Sequence, residues 1–160
     1  MVHRIVVLGG GTGGTLTANR LHRRYGSDAS ITVVDQDGSH VYQPGLLFVP
    51  FGLAHPEDIV RPRARQLHEG IAYVQSEIDH VDAERDAVHL ANGESLGYDV
   101  LVVATGARLL PEETDGLTGT GWRETVHTFY DLPGATALEA ALARFEGGRL
   151  VVDVVDMPIK

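Results

Sequence analysis

Six consecutive positions, Gly9-Gly10-Gly11-Thr12-Gly13-Gly14, put glycines 9, 11 and 14 in the spacing G-x-G-x-x-G, and Ala18 extends it to G-x-G-x-x-G-x-x-x-A. Residues of that kind and spacing suit a pyrophosphate. Gly9 permits a tight turn, Gly11 lets the backbone approach the phosphates, and Gly14 lets the following helix pack closely on the strand. Thr12 and Gly13 lie in the turn just ahead of that helix, whose unpaired N–H groups and partial positive charge attract an anion. Asp35 closes the next strand, where an acid accepts hydrogen bonds from adenosine ribose hydroxyls. An acid there disfavours a 2′-phosphate, so NADP is the least expected ligand, while FAD and NAD remain. As a strand-ending residue, Asp35 is expected at the surface, and its replacement is expected to weaken nucleotide binding while leaving the fold intact.

These residues need a βαβ unit to position them. Residues 4–8 are an apolar, β-branched run bounded by glycine, which predicts a buried parallel strand. Residues 15–25 predict the helix, and residues 31–34 a second buried strand. Residues 36–70 carry Pro44, Pro50, Pro56 and Pro62 and predict a long loop with one or two short helices. Residues 71–74, 78–81 and 87–90 predict three short antiparallel strands, with Asn92-Gly93 at a hairpin turn. Residues 98–104 predict a fully buried strand, residues 131–145 a helix, and residues 150–155 one more buried strand. The expected fold is α/β: a Rossmann-like parallel sheet with a β-meander crossover over residues 1–110. Residues 111–160 are then the linker and the first helix and strand of a second α/β domain.

Composition narrows the function classes. The 160 residues are 43% hydrophobic and carry a formal charge of −9, from 22 acidic against 13 basic residues. That balance repels phosphate backbones and anionic headgroups, which disfavours nucleic acid as a partner. No apolar run approaches the roughly 18 residues of a membrane span, and the apolar stretch near Met1 is too short for a signal peptide. The chain has no cysteine, hence no disulfide, thiolate metal site or redox dithiol. The eight histidines lack the spacing of three to five residues that places two ligands on one helix face, so no metal site is expected.

Two longer segments carry a family resemblance. Tyr98-Asp99-Val100-Leu101-Val102-Val103-Ala104-Thr105-Gly106 resembles the strand and A-T-G turn of flavoproteins related to glutathione reductase, in which that turn passes close to FAD. The resemblance implies FAD as the cofactor, with Ala104, Thr105 and Gly106 beside it. His40-Val41-Tyr42-Gln43-Pro44-Gly45-Leu46-Leu47 resembles the segment after the second strand in sulfide:quinone oxidoreductases, flavocytochrome c sulfide dehydrogenases and type II NADH dehydrogenases. By that resemblance Gln43 and Pro44 lie near the isoalloxazine and Ile78 holds the adenine through its backbone. Tyr42 and Leu46 are either part of that surface or plain core.

The final segment selects among these families. In type II NADH dehydrogenases the corresponding strand leads into a second glycine fingerprint, whereas residues 149–160 contain no glycine. Met157-Pro158-Ile159-Lys160 is instead similar to the P-I-K that precedes a redox cysteine in sulfide:quinone oxidoreductases. The resemblance implies a parent enzyme that oxidises a small sulfur species and passes electrons through FAD to a quinone. It also implies a cytoplasmic location, peripheral to the membrane in the full-length parent, with membrane attachment itself left open. The alternatives are a type II NADH dehydrogenase-like enzyme, or an inactive FAD-fold fragment prone to self-association. The family's Gly-Asp dipeptide, which belongs to a far carboxy-terminal segment, is absent, so the chain is expected to be the amino-terminal portion of a longer protein. No catalytic residue is expected within it.

Overall fold

The computed structural model describes residues 2–154. β1 (His3–Leu8) runs through the glycine turn into α1 (Thr12–Tyr25), and a 3₁₀ turn over Gly26–Asp28 returns the chain to β2 (Ala29–Asp35). The helix begins three residues before the expected start, because Thr12, Gly13 and Gly14 form its first turn despite their low helix propensity. Next come β3 (Ser39–Val41), 3₁₀ turns over Gln43–Leu47 and Val49–Phe51, α2 (Pro56–Ile59), β4 (Val60–Pro62) and a 3₁₀ turn over Arg63–Gln66. The prolines do keep this stretch irregular. However, β3 and β4, which were not expected, pair as a two-stranded sheet.

β5 (Ala72–Gln75), β6 (Ile78–Asp82), β7 (Ala87–Leu90), β8 (Ser95–Gly97) and β9 (Val100–Val103) follow, and α3 (Leu132–Ala143) comes last. The principal sheet has the order β5-β2-β1-β9, and all of its pairings are parallel. β6, β7 and β8 form the antiparallel meander. Two expectations are corrected here. Residues 72–75 join the parallel sheet, in register Thr32↔Ala72 to Asp35↔Gln75, and are not the first meander strand. The third meander strand is Ser95–Gly97, reached through the expected Asn92-Gly93 turn, in which Gly93 has φ +88° and donates to the Leu90 carbonyl at 2.9 Å.

Strand periodicity explains why β1 and β2 are buried on both faces. Ile5, Val7, Ile31 and Val33 point to the side of α1 and pack with Ala18. Val6, Leu8 and Val34 point to the other side and pack with Val88, Leu90 and Tyr98 of the meander region. Val7, Val33, Val34 and Val88 are wholly inaccessible, and burying each contributes roughly 1.5–3 kcal/mol. β9 is not the fully buried strand expected, because it lies at the end of the sheet with β1 as its neighbour there, leaving Val100 and Val103 exposed.

The chain forms two compact units, Met1–His40 with Arg61–Ala107, and Val41–Val60 with Arg108–Lys160. The core of the second is Leu46, Val49, Ile59 and Ala135, flanked by Phe129 and Leu132. α3 starts as its sequence predicts, with the Asp131 carboxylate accepting from the Gly134 amide at 2.6 Å and Pro133 in the first turn. The strand expected over residues 150–155 is not formed over 150–154, where Leu150, Val151, Val152 and Val154 are exposed. A parallel strand needs a neighbour for its hydrogen bonds, and none pairs with these residues among those described. The Met157-Pro158-Ile159-Lys160 segment lies outside the described residues.

Candidate functional site

The glycine turn sits at the carboxyl end of β1, between β2 and β9. Gly9 has φ +94° and donates its amide to the Val34 carbonyl at 2.8 Å, while a β-carbon there would lie 2.3 Å from the Ala104 carbonyl oxygen. Only glycine accommodates both that angle and that approach. A β-carbon on Gly14 would lie 1.8 Å from the Gly9 carbonyl oxygen, so the helix rests directly on the turn. Gly11 and Gly13 instead have open space where a side chain would stand. Gly11 caps α1 without a side-chain hydrogen bond, and Thr15 N–H to Gly11 C=O at 2.9 Å closes the first helical turn. The earlier amides therefore lack helical partners and form a cradle of donors that an anion can fill.

Asp35 stands beside this cradle. Its Oδ2 accepts from the Gly10 amide at 2.7 Å and its Oδ1 from the Asp37 amide at 2.9 Å. The side chain is only 14% accessible and faces the Arg63 guanidinium, 3.4 Å from Oδ1. Asp35 is thus not the surface residue expected: the ladder places its backbone at a strand end, but Gly10 and Arg63 cover its carboxylate. Tyr73 closes the same corner by donating to the Asp37 carbonyl at 2.6 Å. Burial holds the Tyr73 hydroxyl above its ordinary pKa, and the Asp35 charge adds to that effect.

A family model described as pyridine nucleotide-disulphide oxidoreductase matches residues 3–152. The chain belongs to that family. Among curated relatives, the mitochondrial sulfide:quinone oxidoreductase of Mus musculus is 25% identical over 158 residues, covering 99% of this chain and 35% of that protein. The type II NADH:quinone oxidoreductase NdhA of Mycobacterium tuberculosis is 30% identical over 112 residues, covering 66% of this chain and 23% of that protein. The X-ray structure of the Aquifex aeolicus sulfide:quinone oxidoreductase superposes with a TM-score of 0.72 at 24% identity, over 89% of this chain and 32% of that one, a likeness of fold. The chain spans about a third of the length of the first of these relatives.

Within this pyridine nucleotide-disulphide oxidoreductase chain, the structure brings several of the expected site residues together. Gly9, Gly14 and Ala104 meet at the turn, and Thr105 adjoins them, its Cα 2.9 Å from the β-carbon position of Gly9. Gly106 follows with φ +75° and is exposed, as are Thr12 and Gly13. Ile78 begins β6, opposite Leu90, with its half-buried side chain against the meander-side core. Gln43 and Pro44 belong to the second compact unit and are exposed there. Of their neighbours, Leu46 is core, whereas Tyr42 is 60% accessible.

Two residues at the turn escaped sequence reading. Arg63 lies in the stretch read as a loop, 53 positions from the Gly10 carbonyl to which it donates, and no local pattern marks it. His40 places Nε2 3.5 Å from the Thr12 hydroxyl, at the amino end of α1, with its Nδ1 buried and without a partner among the described residues. The residues present fit an adenine dinucleotide, having open backbone donors for the pyrophosphate and an adjacent carboxylate for a ribose.

Proposed function

We propose that the chain binds FAD and forms the amino-terminal part of a flavin-dependent oxidoreductase of the sulfide:quinone oxidoreductase type. One observation supports this most: the glycine turn, the Asp35 carboxylate and the Ala104-Thr105-Gly106 turn converge at the carboxyl ends of adjacent parallel strands, where open α/β sheets bind their ligands. In this reading the Gly11, Thr12 and Gly13 amides hold the pyrophosphate and Asp35 accepts from the adenosine ribose. Ile78 meets the adenine through its backbone. Ala104, Thr105 and Gly106 border the rest of the cofactor, and the family resemblance alone assigns Gln43 and Pro44 to the isoalloxazine. When bound, the flavin supplies the two-electron redox chemistry, and these residues bind and orient it.

The glycine-free segment 149–160 favours a sulfur species as electron donor over the nicotinamide nucleotide of a type II NADH dehydrogenase, with a quinone as acceptor in either case. Residues 111–160 would then lead into a second α/β domain, and the full-length protein would act at a membrane surface to reach its quinone. Among the described residues no helix is long and apolar enough to cross a membrane. The test is a titration of the purified chain with FAD and with NAD, followed by flavin fluorescence and calorimetry. FAD is expected to bind more tightly, and tighter binding of NAD would overturn the assignment.

A further inference from the structure

Arg63 is a buried cation that the dinucleotide reading does not use. Its side chain is 8% accessible, and its guanidinium holds the loop after β2 against the glycine turn. Nε donates to the Asp37 carbonyl at 2.8 Å, Nη2 donates to the Ser39 carbonyl at 2.8 Å, and Nη1 donates to the Gly10 carbonyl. Nη2 also faces Asp35 Oδ1 at 3.4 Å, and the Arg63 amide donates to the Gly38 carbonyl at 2.9 Å. A planar fork with five donors suits such a set of fixed carbonyls, and a lysine, with one nitrogen, could not reach them all.

The second residue of the G-x-G motif is explained by the same contact. A β-carbon on Gly10 would lie 2.5 Å from Arg63 Cδ and 3.2 Å from Cγ, so glycine at this position makes room for the arginine stem. The Gly10 peptide is engaged at both ends: its amide donates to Asp35, and its carbonyl accepts from Arg63 and from the Thr15 hydroxyl at 2.9 Å. A carboxylate offers about four acceptor positions. On Asp35 the Asp37 amide and Arg63 face Oδ1, and the Gly10 amide takes one position on Oδ2. Among the described residues, one position on Oδ2 remains beside the turn.

We infer that Arg63 is a positioning residue for nucleotide recognition: seated under Gly10, it fixes the Asp35 carboxylate so that the remaining Oδ2 position faces the ribose diol. Its charge also offsets that of Asp35, which lessens the repulsion between the acid and an anionic ligand. Arg63 itself has its donors turned to backbone carbonyls and to Asp35, so its role would be to position the acid rather than to bind the phosphates. This rests on the proposed reading of the turn as a dinucleotide site.

The probes are ADP and 2′,3′-dideoxy-ADP, which differ only in the ribose hydroxyls, with affinities measured for the parent chain and for Arg63→Met, Arg63→Lys and Gly10→Ala. The parent is expected to prefer ADP by about tenfold or more, the effect of one hydrogen bond to a charged acceptor. Arg63→Met and Gly10→Ala are expected to bring that ratio close to one while retaining most of the dideoxy-ADP affinity, with Arg63→Lys between them. Equal losses on both ligands, or an unchanged ratio, would reduce Arg63 to a scaffold residue and overturn the inference. Should Arg63→Met fail to fold, Arg63→Lys and Gly10→Ala, which keep a cation, carry the same comparison. Amide hydrogen exchange needs no ligand: Gly10 and Asp37 should exchange faster in Arg63→Lys while Val7 and Val33 do not change, and unchanged exchange at Gly10 also overturns it. Failure of the parent to bind ADP, with the exchange result as expected, would locate the error in the dinucleotide reading instead.

Discussion

The Asp35 carboxylate accepts a hydrogen bond from the Gly10 amide at 2.7 Å, which ties the end of β2 to the glycine turn 25 positions earlier in the chain. The acid that the motif assigns to the ligand is therefore also part of the turn's own framework. Ligand affinity and local stability share one side chain, and a substitution there moves both.

Asp35→Ala should accordingly have two effects. It removes a charged acceptor from the ribose, for an expected loss of about 1.5–3 kcal/mol in FAD binding. It also strands the buried Gly10 amide, at roughly 1–3 kcal/mol for the unsatisfied group, and takes the countercharge from Arg63, which keeps its carbonyl partners. Urea unfolding would register the second effect without ligand. An unchanged midpoint would mean that the Asp35 network contributes nothing to the fold, and an unchanged dissociation constant for FAD would remove Asp35 from the site.

Gly13→Ala and Gly14→Ala should behave oppositely although the residues are adjacent. A methyl on Gly14 meets the Gly9 carbonyl at 1.8 Å, so α1 must move off the turn at a cost of about 1–3 kcal/mol or more. A methyl on Gly13 meets nothing within 4 Å, and alanine favours helix over glycine by about 0.8–1 kcal/mol. Gly13→Ala should thus hold or raise the melting temperature while weakening FAD binding on the exposed first turn. Gly14→Ala should lower both. Equal destabilisation of the two variants would contradict the packing described for the turn.

How much of this was legible in the sequence follows from how local each contact is. The G-x-G-x-x-G turn, α1 and the Asn92-Gly93 hairpin depend on neighbours a few residues apart; the turn and the hairpin form where their spacing places them, and α1 does so apart from its first three residues. Residues 72–75 were assigned to the wrong sheet because an apolar run reports a strand but not its partner. Their parallel register with residues 32–35 is a long-range fact. The apolar run over 150–154 shows the same limit: hydrophobicity suits a strand, but hydrogen bonding to a neighbour makes one. At the site, the spacing puts Asp35 at the end of its strand but carries no sign of its burial. That burial comes from Arg63, whose partners are mostly backbone carbonyls and so leave no trace in residue types.

The Arg4–Asp99 pair, which links the start of β1 to the residue before β9, makes stability depend on acid. Arg4 Nη2 donates to Asp99 Oδ1 at 2.8 Å and the Arg4 amide to Oδ2 at 2.7 Å. The side-chain bond first, and the backbone bond next, hold the Asp99 carboxyl at about 2, below the ordinary 3.8. Because the folded value is the lower one, the pair's contribution is full above the unfolded value and is lost as pH falls through the folded one. Asp99→Asn should therefore be less stable than the parent at neutral pH, with the gap closing as pH drops from 3.8 towards about 2. Both side chains are solvent-accessible, so added salt should shrink the gap at neutral pH as well. A gap independent of pH across this window would show that Asp99 acts through its backbone contacts alone.

The 160-residue chain by itself should show no sulfide:quinone oxidoreductase activity, even with FAD bound. The resemblance to sulfide:quinone oxidoreductases implies a redox cysteine, whose thiolate would attack the sulfur species in the proposed reaction, and this chain contains no cysteine. No other side chain here replaces a thiolate at a practical rate, because hydroxyls and amines remain protonated and weakly nucleophilic without an activating partner. The relatives are also about three times as long, so the cofactor would have only part of the protein that surrounds it in them. A ring left open to water cannot hold a substrate in a near-attack arrangement. Sulfide-dependent reduction of a soluble quinone by the chain should match a control of free FAD at the same concentration. A protein carrying further residues after Lys160, including a cysteine, should exceed that control. Turnover by the 160-residue chain above free FAD would place the reactive centre within this chain and would require a nucleophile other than cysteine.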